Sequence, residues 1–134
     1  MEQLKFKEVE KRFLKQFNMP PDEKLVNYYS CGYWKGSLPR QGWMYLSVNH
    51  LCFYSFLLGS ETLLVVRWNT VRKLELQSAR ITEEIVVHVD PREAVGSGVA
   101  ADPSGKRKEL HFSMFSNTRE IFDLIEQLVK TAVT

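Results

Sequence analysis

The hydrophobic positions change their spacing twice along the chain, and the first part has helical spacing. Charged residues separate apolar residues that recur every three or four positions, which predicts an amphipathic helix over residues 3–17. Pro20 and Pro21 follow and end that helix. The apolar stripe consists of Phe6, Val9, Phe13 and Phe17.

The middle part, residues 24–115, is rich in strand-forming residues at short and regular intervals. A long loop is predicted over residues 90–108, which contain two Asp-Pro pairs and three glycines. Seven short strands favour a barrel or a sandwich. They are predicted over Leu25–Trp34, Trp43–Val48, Leu51–Phe56, Leu63–Trp68, Val71–Leu76, Ile81–Val89 and Glu109–Phe115.

The last part returns to helical spacing and predicts a helix over residues 117–133. Asn117 and Glu120 have the spacing of a capping box at its start. The order helix, seven strands, helix predicts one mainly β domain over residues 1–134, in which the final helix closes a partly open barrel. The residues predicted to face the barrel are Ile121, Phe122, Ile125, Leu128, Val129 and Ala132.

Composition narrows the classes of function. The net charge is only +2, and the strands carry few basic residues, so a nucleic-acid partner is not expected. Cys31 and Cys52 are too few for a disulfide framework, which favours a reducing, intracellular compartment. No apolar run approaches the ~20 residues that cross a bilayer. We therefore expect no transmembrane segment.

Catalytic and metal-binding signatures are weak. His88 and His111 are predicted on neighbouring strands and the same face, but two histidines without a third ligand make a poor metal site. Gly98 and Gly105 are spaced wrongly for a phosphate-binding loop, and Lys106 is followed by Arg107. The sequence thus predicts no catalytic residue, no metal site and no cofactor.

The aromatic residues between positions 43 and 56 are predicted to be packing residues, because aromatic side chains on strands are most often buried. We expect core positions at Tyr45, Phe53, Tyr54, Phe56 and one of Trp43 or Met44.

The turn WKGSLPRQG holds the strongest candidate for binding. Lys35 and Arg40 flank a glycine and could hold a phosphate between them, while Trp34 and Leu38 could enter a lipid interface. An ordinary solvated hairpin remains the alternative. Additional positive charge would come from Arg67, Arg72, Lys73 and the run 106–108, if these lie at the same end of the barrel.

The segments FNMPPDEKLVNYYSCGYWKGSLPRQGWMYLSVNHLCFYSFLLGSETLLVVRW and FSMFSNTREIFDLIEQL resemble a GRAM domain, in particular the first GRAM domain of TBC-domain GTPase-activating proteins for Rab GTPases. The resemblance implies a pleckstrin-homology-like fold of seven strands in two near-orthogonal sheets with a C-terminal helix. It also implies membrane or phosphoinositide association, with GTPase activation and Rab binding in a separate TBC domain. Gly42 stands where lipid-binding relatives of this fold carry a third basic residue.

Two hypotheses follow. In the first, the chain is a non-catalytic module that binds anionic lipid or phosphoinositide headgroups, peripheral to intracellular membranes on the cytoplasmic side. Its headgroup site is then predicted at Lys35, Arg40, Arg67 and Lys73, with membrane contact by Trp34 and Leu38. In the second, the same fold serves as a protein-interaction or autoinhibitory module without lipid affinity.

Overall fold

A computed structural model describes residues 2–79, 82–96, 104–105 and 108–133 of the chain. It contains two helices, seven strands and a short 3₁₀ helix at Trp68–Thr70. The predicted order of elements is confirmed. The elements are α1 (Glu2–Gln16), β1 (Leu25–Lys35), β2 (Leu38–Ser47), β3 (His50–Leu57), β4 (Ser60–Arg67), β5 (Val71–Ala79), β6 (Thr82–Val89), β7 (Lys108–Ser113) and α2 (Thr118–Val133).

The seven strands form one antiparallel sheet in the order β4-β3-β2-β1-β7-β6-β5, which curls into the predicted half-open barrel. β1 links its two halves: it pairs with β2 along its whole length, but with β7 only through Gly32 and Tyr33. β2 begins at Leu38, five residues earlier than predicted, so that only Gly36 and Ser37 form the first turn. Gly36 has a φ of +72°, which suits glycine at the start of a two-residue hairpin loop.

The main core lies on the concave face of the sheet and is closed by α2. Ile121 and Ile125 of α2 are buried there, while Leu128, also predicted to be buried, is only half-buried. α2 contacts the 3₁₀ helix, β5 and β6. The final helix therefore belongs to the fold, as its apolar stripe predicted.

A second apolar cluster lies on the outer face of β1–β4, where α1 packs against the sheet. Phe13 of α1 and Phe17, which directly follows the helix, are buried, and both rings contact the ring of Tyr45. Because one face meets the main core and the other meets α1, these strands are apolar on both faces. This explains the aromatic richness of residues 43–56 better than a single core does.

The residues predicted as core aromatics differ in how deeply they are buried. Phe53 and Met44 are fully buried, so Met44 rather than Trp43 is the core residue. Tyr45 and Tyr54 are half-buried beside α1. The prediction for Phe56 was wrong: its side chain is 63% exposed, because it lies on the outer face of β3 beyond the reach of α1.

Glu23 joins the α1–β1 connection to the turn between β2 and β3. Its buried carboxylate accepts hydrogen bonds from the Ser47 hydroxyl and from the backbone and side-chain nitrogens of Asn49, and it lies 3.0 Å from His50 Nδ1. Burial alone would raise the pKa of Glu23, but these hydrogen bonds outweigh it and lower the pKa to about 2. The carboxylate is therefore a charged structural anchor of this turn.

Candidate functional site

Two hairpin tips lie side by side at one end of the sheet, which we call the hairpin end (residues 35–40 and 56–60). The β1–β2 turn precedes β2 and the β3–β4 turn follows β3, and β2 and β3 are antiparallel neighbours. The turn between β2 and β3 and the 3₁₀ helix lie at the opposite end, where α2 makes its contacts with that helix. The hairpin end therefore lies away from the 3₁₀ helix that α2 contacts.

Lys35 and Arg40 share the concave face of the sheet at the hairpin end. Arg40 pairs with Tyr33, which is buried in the main core, and Lys35 pairs with Leu38. Since alternate residues of a strand share a face, Lys35, Leu38 and Arg40 all project to the side of Tyr33. The structure therefore brings these three predicted residues together.

The Arg40 guanidinium carries an orphaned donor. Its Nε is buried and has no hydrogen-bond partner within the part of the chain that the structure describes. A buried donor left unpaired costs about 1–3 kcal/mol, more when it is charged. An anionic oxygen at this position would satisfy it.

Exposed apolar residues lie on the same two hairpin tips. Leu38 is 67% exposed and Leu58 is 95% exposed, each at or beside a hairpin tip. Leu58 has a φ of +52° and Gly59 a φ of +78°, a conformation that favours Asn-Gly and strains leucine. A leucine that is both strained and exposed to water indicates a function outside the fold itself. Phe56 and Leu57 extend this apolar surface, at 63% and 40% exposure.

Sequence reasoning missed the second hairpin. The predicted strands end at Phe56 and resume at Leu63, and no residue between them was assigned to a binding surface. The available signal was Leu58 itself, an apolar residue directly before a turn glycine, where polar residues are usual.

Trp34 was predicted to contact a membrane, and the structure places it against β7 instead of in the solvent. Its side chain is half-buried, and Nε1 donates a 2.6 Å hydrogen bond to the Ser113 hydroxyl. The indole therefore has a structural partner beside the hairpin end.

Arg67 lies at the other end of the barrel from Lys35. It pairs with His50 at the start of β3, and a cleft of about 400 Å³ there is lined by Arg67, Asp22, Glu23 and His50, among others. The two acidic residues in that cleft oppose an anionic ligand. The structure does not bring Arg67 to the predicted headgroup site.

Lys73 and Arg72 are also distant from the hairpin end, near the start of β5. Lys73 Nζ lies 3.8 Å from Glu75 Oε1, and Arg72 Nη2 lies 2.9 Å from Asp90 Oδ2. Both cations are thus paired with carboxylates. Lys106 and Arg107 lie outside the described residues, while Lys108 Nζ donates to the Glu93 carbonyl.

Gly42 explains the missing third basic residue. A Cβ at this position would overlap the backbone oxygen of Tyr54 and press on the side chains of Phe53 and Ser55. β2 and β3 approach each other too closely for any side chain there. The departure from the basic pattern follows from packing in this barrel.

The described residues contain no arrangement suited to nucleophilic catalysis. Ser47, His50 and Glu23 lie together, but Ser47 is fully buried and donates directly to the Glu23 carboxylate. Both cysteines are free thiols, and burial raises the pKa of Cys31 to about 12 and also raises that of Cys52. A protonated, buried thiol is a poor nucleophile.

No helix among the described residues has the length and apolar character needed to cross a bilayer.

Comparison with known proteins identifies the family. The model of the GRAM domain family matches residues 11–134. A C2 and GRAM domain-containing protein of Arabidopsis thaliana is 26% identical over 110 residues, 77% of this chain. Human protein Aster-B is 44% identical over 63 residues, 46% of this chain. The matched parts span only 11% and 8% of the length of these two relatives.

Solved structures show the same fold at low sequence identity. The C-terminal domain of an unknown protein from Leishmania infantum aligns with a TM-score of 0.68 at 17% identity, covering 90% of this chain and 97% of that domain. The Vps36 N-terminal PH domain aligns with a TM-score of 0.61 at 12% identity, covering 86% and 85%. The pleckstrin-homology-like fold expected from the sequence is confirmed.

Proposed function

Because this chain belongs to the GRAM domain family, we propose that it is a non-catalytic module that attaches its parent protein to membranes containing anionic lipids. The hairpin end is the proposed contact surface. Lys35 and Arg40 bind the phosphate of a lipid headgroup, and Leu38, Leu57 and Leu58 enter the interface beside it.

The observation that carries this proposal is the orphaned Arg40 Nε at an end of the sheet where both hairpin tips carry exposed apolar side chains. A phosphate oxygen can accept from a guanidinium, and such charge-assisted hydrogen bonds are about twice as strong as neutral ones. Apolar residues on the two adjacent tips add the burial that a surface charge pair alone does not supply. This combination of basic and apolar groups supports the proposed contact with a charged lipid surface.

The parent protein is proposed to be a Rab GTPase-activating protein in which a separate TBC domain binds the Rab GTPase. This part rests on the sequence resemblance of residues 13–129 to the first GRAM domain of such proteins. The module would then act on the cytoplasmic side, peripheral to intracellular membranes. A protein-interaction or autoinhibitory module is the second candidate, since exposed leucines also suit a protein partner.

The test is co-sedimentation with vesicles of phosphatidylcholine alone or with added phosphatidylserine or phosphoinositide. Lys35→Glu combined with Arg40→Glu reverses two charges, and each cation near an anionic surface contributes about 1 kcal/mol. We expect the double variant to bind anionic vesicles more than tenfold more weakly, since ~1.4 kcal/mol corresponds to one decade. Binding of the wild type should weaken as salt is added.

The matched control is Lys11→Glu combined with Lys15→Glu, which makes the same change in charge on exposed positions of α1. This control should bind vesicles nearly as well as the wild type, and circular dichroism should show that both variants fold. Equal losses in the two double variants would indicate only a dependence on net charge. If the wild type does not bind anionic vesicles even at low salt, the result would favour the protein-interaction module.

A further inference from the structure

Three adjacent strands each place a metal-ligating side chain on the outer face of the second half of the sheet. Glu75 lies on β5, His88 on β6 and Glu109 on β7, and His88 is directly opposite Glu109 in the strand register. His88 Nε2 lies 2.5 Å from Glu75 Oε1 and 3.9 Å from Glu109 Oε1. One potential ligand atom from each residue lies within 4.8 Å of the other two.

The spacing is close to that of a tetrahedral site. Zinc binds imidazole nitrogen and carboxylate oxygen at about 2.0–2.2 Å, which places two ligand atoms about 3.3 Å apart. The 2.5 Å separation would have to widen and the 3.9 Å separation would have to shorten, each by less than about 1 Å. Side-chain rotation alone provides such changes, because the strands hold the three backbones in register.

The environment of the cluster also suits a cation. The side chain of His88 is 10% exposed, that of Glu75 30% and that of Glu109 50%, so the imidazole is held deep while one carboxylate faces solvent. Two carboxylates and one imidazole leave a fourth position for water.

From this geometry we propose that Glu75, His88 and Glu109 form a binding site for a divalent transition-metal ion such as Zn²⁺. The imidazole favours Zn²⁺ over Mg²⁺ or Ca²⁺, which prefer sites built from oxygen alone. The ion would join β5, β6 and β7 across their outer face and stabilise the folded state in proportion to its binding.

The sequence analysis considered His88 and His111 as one possible metal site and rejected it, because two histidines lack a third ligand. The structure gives each histidine its own carboxylate partner, and His111 Nδ1 lies 3.0 Å from Glu84 Oε1. Among the described residues, that second pair has no third ligand within reach. His111 is therefore a matched control, a histidine–glutamate pair on the same sheet that should not bind the ion.

A variant of Lys73 provides a second test of specific zinc binding. Its ammonium lies 3.8 Å from Glu75 Oε1 and competes with a cation for that carboxylate, and its side chain is 54% exposed and free to rotate away. Replacing Lys73 with Gln removes the competing charge. Zinc affinity should then rise severalfold, an effect that non-specific adsorption to surface carboxylates would not show.

The experiment is isothermal titration of the 134-residue chain with ZnCl₂ at pH 7.5 in a non-chelating buffer, with MgCl₂ as the comparison. We expect one Zn²⁺ per chain and no saturable binding of Mg²⁺. His88→Gln and Glu109→Gln should each raise the dissociation constant at least tenfold, while His111→Gln should change it less than twofold. The melting temperature should rise with Zn²⁺ in the wild type and not in His88→Gln.

Absence of saturable zinc binding by the wild type would overturn the proposal. Equal losses in His88→Gln and His111→Gln would overturn it as well, because they would show that histidine content alone sets the affinity. If circular dichroism shows that His88→Gln does not fold, the half-exposed Glu109→Gln variant decides the outcome.

Discussion

The Nε1 atom of Trp34 lies 2.6 Å from the hydroxyl oxygen of Ser113, and this hydrogen bond ties β1 to the end of β7. Among the strands that the structure describes, the two halves of the sheet are paired only through Gly32 and Tyr33 of β1 with β7. The tryptophan is therefore placed to hold the barrel together beside its hairpin end.

Trp34→Phe keeps an aromatic side chain at this position and removes the Nε1 donor. We expect the free energy of unfolding to fall by about 1 kcal/mol, the usual net value of one hydrogen bond plus the unpaired Ser113 hydroxyl. Vesicle binding of the folded variant should stay within twofold of the wild type. Urea denaturation and co-sedimentation measure the two quantities. Unchanged stability with lost vesicle binding would instead support the membrane contact by Trp34 that the sequence predicts.

Leu58→Asn should change stability and membrane binding in opposite directions. Leucine in the left-handed region costs about 1 kcal/mol, which asparagine largely avoids, so the variant should be more stable by about 0.5–1 kcal/mol. Burying a leucine side chain in an apolar phase contributes about 1.5–3 kcal/mol. Its loss should weaken vesicle binding by about tenfold.

The control for Leu58→Asn is Leu4→Asn, which makes the same change at a leucine of α1 that is 68% exposed and lies outside the hairpin tips. It should leave vesicle binding unchanged. If Leu58→Asn is stabilised but binds vesicles like the wild type, the strained leucine serves some other contact, and a protein partner becomes the better explanation.

Periodicity predicted the element order because both helices have one apolar stripe and the strands are short and rich in strand-forming residues. It did not predict burial correctly on a strand whose two faces pack against different parts of the protein, the main core and α1. Phe56 and Phe53 look alike in the sequence, yet α1 covers only part of the outer face, and Phe56 lies beyond it. No local pattern states how far a helix from another part of the chain extends.

The candidate sites also differ in how far the sequence could predict them. Lys35 and Arg40 are close in sequence, so a hairpin could be expected to bring them together. Arg67 and Lys73 could not be placed without the strand register, which puts them far from that hairpin. The cluster of Glu75, His88 and Glu109 depends on three strands with two connections between them, and its geometry becomes visible only once these strands are paired.

Ile125→Ala should destabilise the fold more than Leu128→Ala does, although the helical stripe predicts equal roles. Ile125 is fully buried in the main core, and Leu128 is half-buried at its edge. Truncating a fully buried isoleucine costs about 2–5 kcal/mol, and the half-buried leucine should cost about half as much. Urea denaturation measures both, and equal costs would contradict the packing of α2 described above.

Glu23 should make the stability of the fold depend on acid pH. The folded state lowers the pKa of this carboxyl from an ordinary value of 4.5 to about 2, so the unfolded chain takes up the proton first as pH falls. The stabilisation is therefore complete above about pH 4.5 and is lost progressively towards pH 2. A shift of this size corresponds to about 1–3 kcal/mol once solvent screening is allowed for.

Glu23→Gln removes the ionisable carboxyl, and with it the pH-dependent stabilisation, and disturbs the hydrogen bonds from Ser47 and Asn49. Asp90 and Glu75 also have lowered pKa values, so the useful quantity is the difference in unfolding free energy between wild type and variant. That difference should be about 1–3 kcal/mol at pH 7 and should shrink between pH 4.5 and pH 2.5 in urea denaturation. Glu8→Gln, on the exposed face of α1, should show no comparable difference. A wild-type advantage over Glu23→Gln that stays constant from pH 7 to pH 2.5 would show that the carboxylate charge does not hold the β2–β3 turn.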